Sequence, residues 1–219
     1  MKTRYKTVLF DLDGTLLDSL GDLTASVNYI LHAKGYPLRT EAEVRTFIGN
    51  GVRNLIKRSL PQGASDEEIA ACVVDFKAHY DLHMQDHTAP FAGIMAVLDD
   101  LLAAGCRLGV VSNKMDPAVK TLCAHWFGDR LSAAIGERAG VRRKPAPDTL
   151  LCAMSELGAD PATTVYVGDG ETDVQTAHAA AVDCISVTWG YRDRDVLASY
   201  GATTFADTPE ALRALLLEG

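Results

Sequence analysis

The chain has 219 residues, 47% of them hydrophobic and 23% charged. These are ordinary globular values that exclude a mostly disordered, collagen-like or low-complexity chain. Its 21 Lys and Arg against 29 Asp and Glu leave a net charge of −8. That balance argues against loose binding to nucleic acid or an anionic membrane, so an anionic substrate needs a local cationic site.

In chain order, Thr7 to Phe10 is a short apolar run that stops at Asp11. It reads as a buried strand whose carboxyl end carries a functional group. It is also the only apolar run before Asp11, too short for a signal-peptide core. From Asp18 to Thr88 the pattern turns helical, with a stripe of Leu20, Leu23, Val27, Ile30 and Leu31. Capping-box signatures follow at Thr40-x-x-Glu43 and Ser65-x-x-Glu68, then a long helical pattern from Ile69 to Met84. After Pro90-Phe91-Ala92-Gly93, further strands are expected at Arg107–Val111, Thr163–Val167 and Cys184–Val187, separated by helical periods. Strand alternating with helix predicts an α/β core with a parallel sheet, residues 1–17 and 92–219, interrupted by an all-helical insertion, residues 18–91. In such sheets ligands bind beyond the carboxyl ends of the strands. No stretch approaches the length of a membrane span.

The five cysteines, Cys72, Cys106, Cys123, Cys152 and Cys184, are far apart and form no C-x-x-C pair. They indicate neither a disulfide framework nor a zinc knuckle and fit a reducing, cytoplasmic setting.

Asp11-Leu12-Asp13-Gly14-Thr15 places two carboxylates one residue apart at a strand exit. Alternate residues of an extended chain point to one side, so both can address one ligand, one attacking while its neighbour moves a proton. Gly168-Asp169-Gly170-Glu171-Thr172-Asp173 repeats the arrangement at a later strand exit. Its Asp169 and Asp173 suit a Mg²⁺ ion held through few protein ligands, whereas Glu171 and Asp18 read as solvated or capping. Four clustered carboxylates without soft ligands call for a hard divalent cation. Ser112-Asn113 offers a hydroxyl and backbone N–H groups, and Lys144, in the proline-stiffened loop Arg143-Lys144-Pro145-Ala146-Pro147, offers a cation. Both are suited to gripping phosphate oxygens.

The ordered set Asp-x-Asp, Ser, Lys and Gly-Asp-x-x-x-Asp resembles the haloacid dehalogenase-like hydrolase superfamily over nearly the whole chain. The resemblance implies a Rossmann-like core and a Mg²⁺-dependent phosphatase acting on a small phosphorylated metabolite. It implies Asp11 as the nucleophile that forms an aspartyl-phosphate and Asp13 as general acid and base. Ser112 and Lys144 would clamp the phosphate with Asn113 beside them. Asp169 and Asp173 would hold the metal together with the Asp11 carboxylate and the backbone carbonyl of Asp13.

The insertion is similar to the helical cap of the phosphoglycolate phosphatase-like branch, through Phe47-Ile48-Gly49-Asn50-Gly51-Val52 followed by Leu55 and Arg58. Gly49, Asn50 and Gly51 would let the backbone approach a small substrate, and Arg53, Lys57 or Arg58 would face its carboxylate. 2-Phosphoglycolate leads as substrate. A phosphomutase, a phosphonate hydrolase, a pyrophosphatase or nucleotidase, and a non-catalytic phosphate-binding regulatory protein stand as rivals, in a monomer or homodimer. His79, His83 and His87 are spaced i, i+4, i+8 and would stack three imidazoles on one helical face. Close to Pro90, where a hinge is expected between the insertion and the core, they read as a solvated or hinge-facing surface. Trp189-Gly190 follows a strand exit, where it would pack at the rim and edge the pocket.

Overall fold

The computed structural model describes residues 3–217. The chain divides into two units, one made of the residues up to Leu17 together with those from Pro90 onward, the other of Asp18–Ala89. The first unit is built on a six-stranded sheet of β1 (Thr7–Phe10), β4 (Arg107–Met115), β5 (Ala133–Glu137), β6 (Thr164–Gly168), β7 (Asp183–Val187) and β8 (Phe205–Ala206). Their order is β5-β4-β1-β6-β7-β8, and every neighbouring pair is parallel. β1 lies inside the sheet with a strand on each side, which is why all four of its residues are buried and why it reads as an unbroken apolar run. The order reverses at β1, the switch point beyond which such sheets place their ligand crevice.

Helices α5 (Ile94–Ala103), α6 (Asp116–Phe127), α7 (Asp148–Leu157), α8 (Glu171–Ala179), α9 (Arg194–Ser199) and α10 (Pro209–Leu217) connect or follow these strands. Leu150, Met154 and Leu157 of α7 pack with Leu9, Ile135 and Tyr166 in one core cluster. Of the apolar period Leu150, Leu151, Met154 and Leu157 expected for that helix, Leu151 falls outside the buried face and is exposed.

The structure departs from the sequence reading in three places. β4 does not stop at Val111 but runs to Met115, with Ser112, Asn113 and Lys114 buried and a register irregularity against β5 beyond Val111. β5 and β8 carry little β-branched character, so no local pattern announces them; parallel pairing to β4 and β7 makes them strands. Two-residue strands β2 (Leu17–Asp18) and β3 (Ala89–Pro90), also unannounced, pair where the chain leaves and re-enters the first unit.

The second unit is helical: α1 (Leu20–Ala33), α2 (Glu41–Phe47), α3 (Gly51–Ser59) and α4 (Asp66–His83). Thr40 and Glu43 form the full capping box of α2, and the Ser65 hydroxyl accepts from the Glu68 N–H at the start of α4. Asp22 of α1 is a buried carboxylate that accepts from the His87 N–H, the Thr88 N–H and the Thr88 hydroxyl at 2.7–3.1 Å. These donors offset its desolvation and tie the end of the unit to its beginning. No helix among the described residues is long and apolar enough to cross a membrane.

Candidate active site

Sheet register brings the motifs together. Phe10 is level with Val110 on one side and Val167 on the other, so the chain leaves β1 at Asp11 beside the ends of β4 and β6. The Asp11 N–H donates to the Val167 carbonyl at 2.8 Å, anchoring the turn that follows.

At this exit one oxygen from each of Asp11, Asp169 and Asp173 falls within 4.8 Å of the others. The Lys144 ammonium is set among them, 3.0 Å from Asp11 Oδ1 and 2.6 Å from Asp173 Oδ1. It also donates to the Tyr166 hydroxyl at 3.0 Å, so all three ammonium N–H groups have an acceptor. The Lys144 side chain is 1% exposed. Burial disfavours its charged form, but the Asp11 and Asp173 carboxylates outweigh that and raise its pKa, so it is a permanent cation. The Tyr166 phenol, also facing Asp173 and Asp11, is raised well above its ordinary value chiefly by burial and stays neutral.

Three carboxylates share this single ammonium. Burial pushes Asp11 up to about 8, with repulsion from Asp173 and Asp169 adding to it and Lys144 opposing it. Asp169 rises to about 7, through burial and then Asp173, against the Tyr191 N–H and the Thr15 hydroxyl. An added divalent cation would reverse both shifts. The donor set is all oxygen, spaced to converge on one ion and deficient in positive charge, so it fits a hard ion such as Mg²⁺.

The Asp13 carboxylate is not in this cluster. Both its oxygens are held by the Lys114 ammonium at 2.8 and 2.9 Å. Ser112 lies between them in sequence, and its buried hydroxyl oxygen accepts from the Lys114 N–H at 3.2 Å. The Asn113 amide nitrogen donates to the Lys144 carbonyl at 3.0 Å, tying the Lys144 loop to β4.

Asp169 is walled in by glycine. Gly14 has φ +85°, and a Cβ there would run into the Asp169 carboxylate. A Cβ at Gly190 would strike Asp169 and the Gly14 carbonyl. Between these walls Asp169 is oriented by the Thr15 hydroxyl at 3.0 Å and the Tyr191 N–H at 2.7 Å. The Trp189 indole N–H donates to the Thr15 carbonyl at 3.1 Å, so the strand exit after β7 braces the turn after β1. Asp173 does two jobs: Oδ2 accepts from the Gly170 N–H at the start of α8 while Oδ1 faces Lys144. Glu171, read as solvated or capping, stands in the first turn of α8, and it pairs with Arg192 at 2.8 Å in a largely buried contact rather than lying open to solvent.

Sequence reasoning did not find Lys114, Tyr166 or Thr15. A lysine directly after Ser112-Asn113 in an apolar strand was an available signal for the first. Tyr166 sits in mid-strand, where nothing local marks it.

In the helical unit, Ile48, Gly49 and Asn50 connect α2 to α3, Gly51 opens α3, and the Asn50 carbonyl accepts from the Asn54 amide. Arg53 pairs with Asp66, and Arg58 donates to the Thr46 carbonyl at 3.1 Å. These exposed contacts hold either arginine only weakly.

Residues 8–187 match the model of the haloacid dehalogenase-like hydrolase family. A phosphoglycolate phosphatase of Xanthomonas campestris pv. campestris (strain 8004) is 35% identical over 211 residues, covering 94% of each chain. An N-acetylmuramic acid 6-phosphate phosphatase of Pseudomonas aeruginosa is 31% identical over 216 residues, covering 96% of this chain and 94% of the relative. The crystal structure of a protein from Lactobacillus delbrueckii subsp. bulgaricus, provisionally named a phosphoglycolate phosphatase, superposes with a TM-score of 0.92 at 35% identity over 99% of both chains. With Asp11 directly after a doubly flanked β1 and similarity to the family over residues 8–187, the chain belongs to the haloacid dehalogenase-like hydrolases, on the phosphoglycolate phosphatase branch, as a phosphoric monoester hydrolase.

Proposed function

We propose that the protein hydrolyses a small phosphomonoester that also carries a carboxylate, with 2-phosphoglycolate first, through an aspartyl-phosphate formed on Asp11. The observation that carries this reading is the placement of Asp11 at the β1 exit, its carboxylate against Lys144 and within an all-oxygen cluster.

Asp11, Asp169 and Asp173 would hold Mg²⁺, with the Asp13 carbonyl as the family resemblance implies. When bound, the ion neutralises charge on the transferring phosphoryl group. A carboxylate oxygen of Asp11 attacks phosphorus and the bond to the ester oxygen breaks. Asp13 passes its proton to the departing alkoxide. Ser112 and the adjoining backbone N–H groups grip phosphoryl oxygens, while Lys144 orients Asp11 and compensates charge beside it. Asp13, now a carboxylate, takes a proton from water as the water attacks the phosphorus of the aspartyl-phosphate. Inorganic phosphate leaves and both aspartates return to their starting states. Lys114, on both oxygens of Asp13, positions that carboxylate for the second step.

The helical unit, residues 18–91 in the sequence reading, is proposed as a specificity cap, with Gly49, Asn50 and Gly51 approaching the substrate and Arg53 or Arg58 reading its carboxylate. The substrates named for the two relatives both pair a phosphate with a carboxylic acid, which supports this class.

The test is phosphate release across 2-phosphoglycolate, N-acetylmuramic acid 6-phosphate, sugar phosphates, nucleotide monophosphates and pyrophosphate, with Mg²⁺ and with EDTA. Release that needs Mg²⁺ and favours the two acidic esters is expected. Equal release with EDTA, or a preference for esters lacking a carboxylate, overturns the reading.

A further inference from the structure

Consecutive residues after β7, from Trp189 to Arg192, each touch the loops that carry the carboxylate cluster. The Trp189 indole N–H donates to the Thr15 carbonyl at 3.1 Å, and the Thr15 hydroxyl donates to Asp169 Oδ1 at 3.0 Å. Gly190 lies so close to Asp169 that a Cβ there would strike it. The Tyr191 N–H donates to Asp169 Oδ2 at 2.7 Å. Arg192 Nε–H donates to Glu171 Oε2 at 2.8 Å, with the two side chains only 13% and 17% exposed.

Glu171 follows Asp169 closely, in the first turn of α8, the helix that also carries Asp173. The contacts therefore close a ring. It runs from Asp169 to the Tyr191 N–H, along the chain to Arg192, across the ion pair to Glu171, and back through Gly170 to Asp169. Residues 188–192 belong to no helix or strand, and the glycine among them gives the backbone more freedom than any other residue would. A main-chain donor is aimed by whatever anchors the chain on either side of it. For the Tyr191 N–H, two such anchors are Trp189 on Thr15 and Arg192 on Glu171. The Arg192–Glu171 pair is shielded from water on both sides, so it escapes the screening that makes exposed pairs weak.

We infer that Arg192 and Glu171 are positioning residues for the metal: their ion pair latches the strap 189–192 to the start of α8 and so holds the Tyr191 N–H and the wall at Gly190 against Asp169. Neither side chain is a metal ligand. The latch rests on the reading of Asp11, Asp169 and Asp173 as the Mg²⁺ cluster, and its effect is opposite in sign to that of charge alone. Arg192 is a cation near a cation site, so by Coulomb's law its removal strengthens Mg²⁺ binding. As the residue that keeps the donor to Asp169 in place, its removal weakens Mg²⁺ binding instead.

The experiment measures Mg²⁺ affinity of the full chain by calorimetry, without substrate. Arg192→Gln should lose roughly tenfold, as changes to the outer partners of metal ligands do. Arg192→Lys keeps the charge and loses the planar fork, so its loss, expected at about threefold, comes from geometry, and it carries the test if Arg192→Gln fails to fold. The double variant Glu171→Gln with Arg192→Gln should lose no more than the weaker-binding single variant, since either change alone opens the latch. Arg194→Gln removes the same charge from an exposed pair with Asp207 in the same segment, and should stay within about twofold of wild type. In EDTA, acrylamide quenching of tryptophan fluorescence should rise in Arg192→Gln, because Trp189 stands on the strap. Mg²⁺ binding by either Arg192 variant as tight as wild type or tighter, or unchanged quenching, overturns the inference and leaves the hydrolase reading standing. Wild-type protein that binds no Mg²⁺ overturns the metal reading itself and the inference with it.

Discussion

Replacing Lys144 with Met tests whether the carboxylate cluster is held together by charge. The variant keeps an unbranched apolar stem as far as Cε but removes the ammonium 2.6 Å from Asp173 and 3.0 Å from Asp11. At an effective dielectric of about 20, each contact is worth roughly 6 kcal/mol before desolvation. Burying the ammonium costs several kcal/mol, and breaking such buried pairs destabilises by about 3–5 kcal/mol, which we expect here. The loss should depend on pH. The folded-state pKa values of Asp11 and Asp169 are raised to about 8 and 7 from an ordinary 3.8, so the folded state retains protons that the unfolded chain releases. The stability contributed by these groups is complete below about pH 4 and is lost as pH rises through 7 and 8. Removing Lys144, which opposes the Asp11 shift, extends that window upward. The destabilisation should therefore be larger at pH 8.5 than at pH 6 in EDTA, and it should shrink when Mg²⁺ is added. Ligand at a hundredfold over its dissociation constant stabilises by about 2.7 kcal/mol. Urea unfolding followed by tryptophan fluorescence reads the correct unit, since Trp126 and Trp189, the only two tryptophans, both belong to it. A change below about 1 kcal/mol at pH 8.5, or one insensitive to pH and Mg²⁺, would refute the reasoning.

Asp11→Asn should abolish phosphate release without lowering metal-free stability at pH 8, because the amide keeps the shape and removes one of three crowded charges; retained turnover would show another nucleophile. Asp13→Ala should slow single-turnover phosphorylation more for alkyl than for activated aryl phosphates, which scarcely need a proton, and an equal loss would count against the acid role. Gly190→Ala places a methyl against Asp169 and should weaken Mg²⁺ binding about 10–100-fold by calorimetry, with an unaltered affinity contradicting the described packing. Arg58→Ala should cost on the order of 2–5 kcal/mol in kcat/KM for 2-phosphoglycolate and far less for an ester lacking the carboxylate. Uniform small effects in Arg53→Ala, Lys57→Ala and Arg58→Ala would remove the carboxylate-reading role and leave the hydrolase untouched.

By itself the sequence determined the alternation of strand and helix, the helical insertion and the strand exits at Asp11 and Asp169. Each rests on a local period or a run ending in polar residues, and backbone geometry fixes those within a dozen residues. It also marked Lys144 and Asp173, but only as members of an ordered set. That the ammonium of Lys144 lies between Asp11 and Asp173, with the phenol of Tyr166 completing its hydrogen bonds, follows from the parallel register of β1 with β4 and β6. The pairing of Lys114 with Asp13, 101 residues away, has the same origin, as does the bracing of Thr15 by Trp189. β5 and β8 became strands through their partners, not their composition. In the helical unit no local pattern singles out Asp22, and the fold brings the His87 and Thr88 N–H groups to its carboxylate. Local sequence sets which way a side chain points along its own element. Which charges meet is decided by how elements far apart in the chain are laid side by side, and burial then gives those meetings their energy.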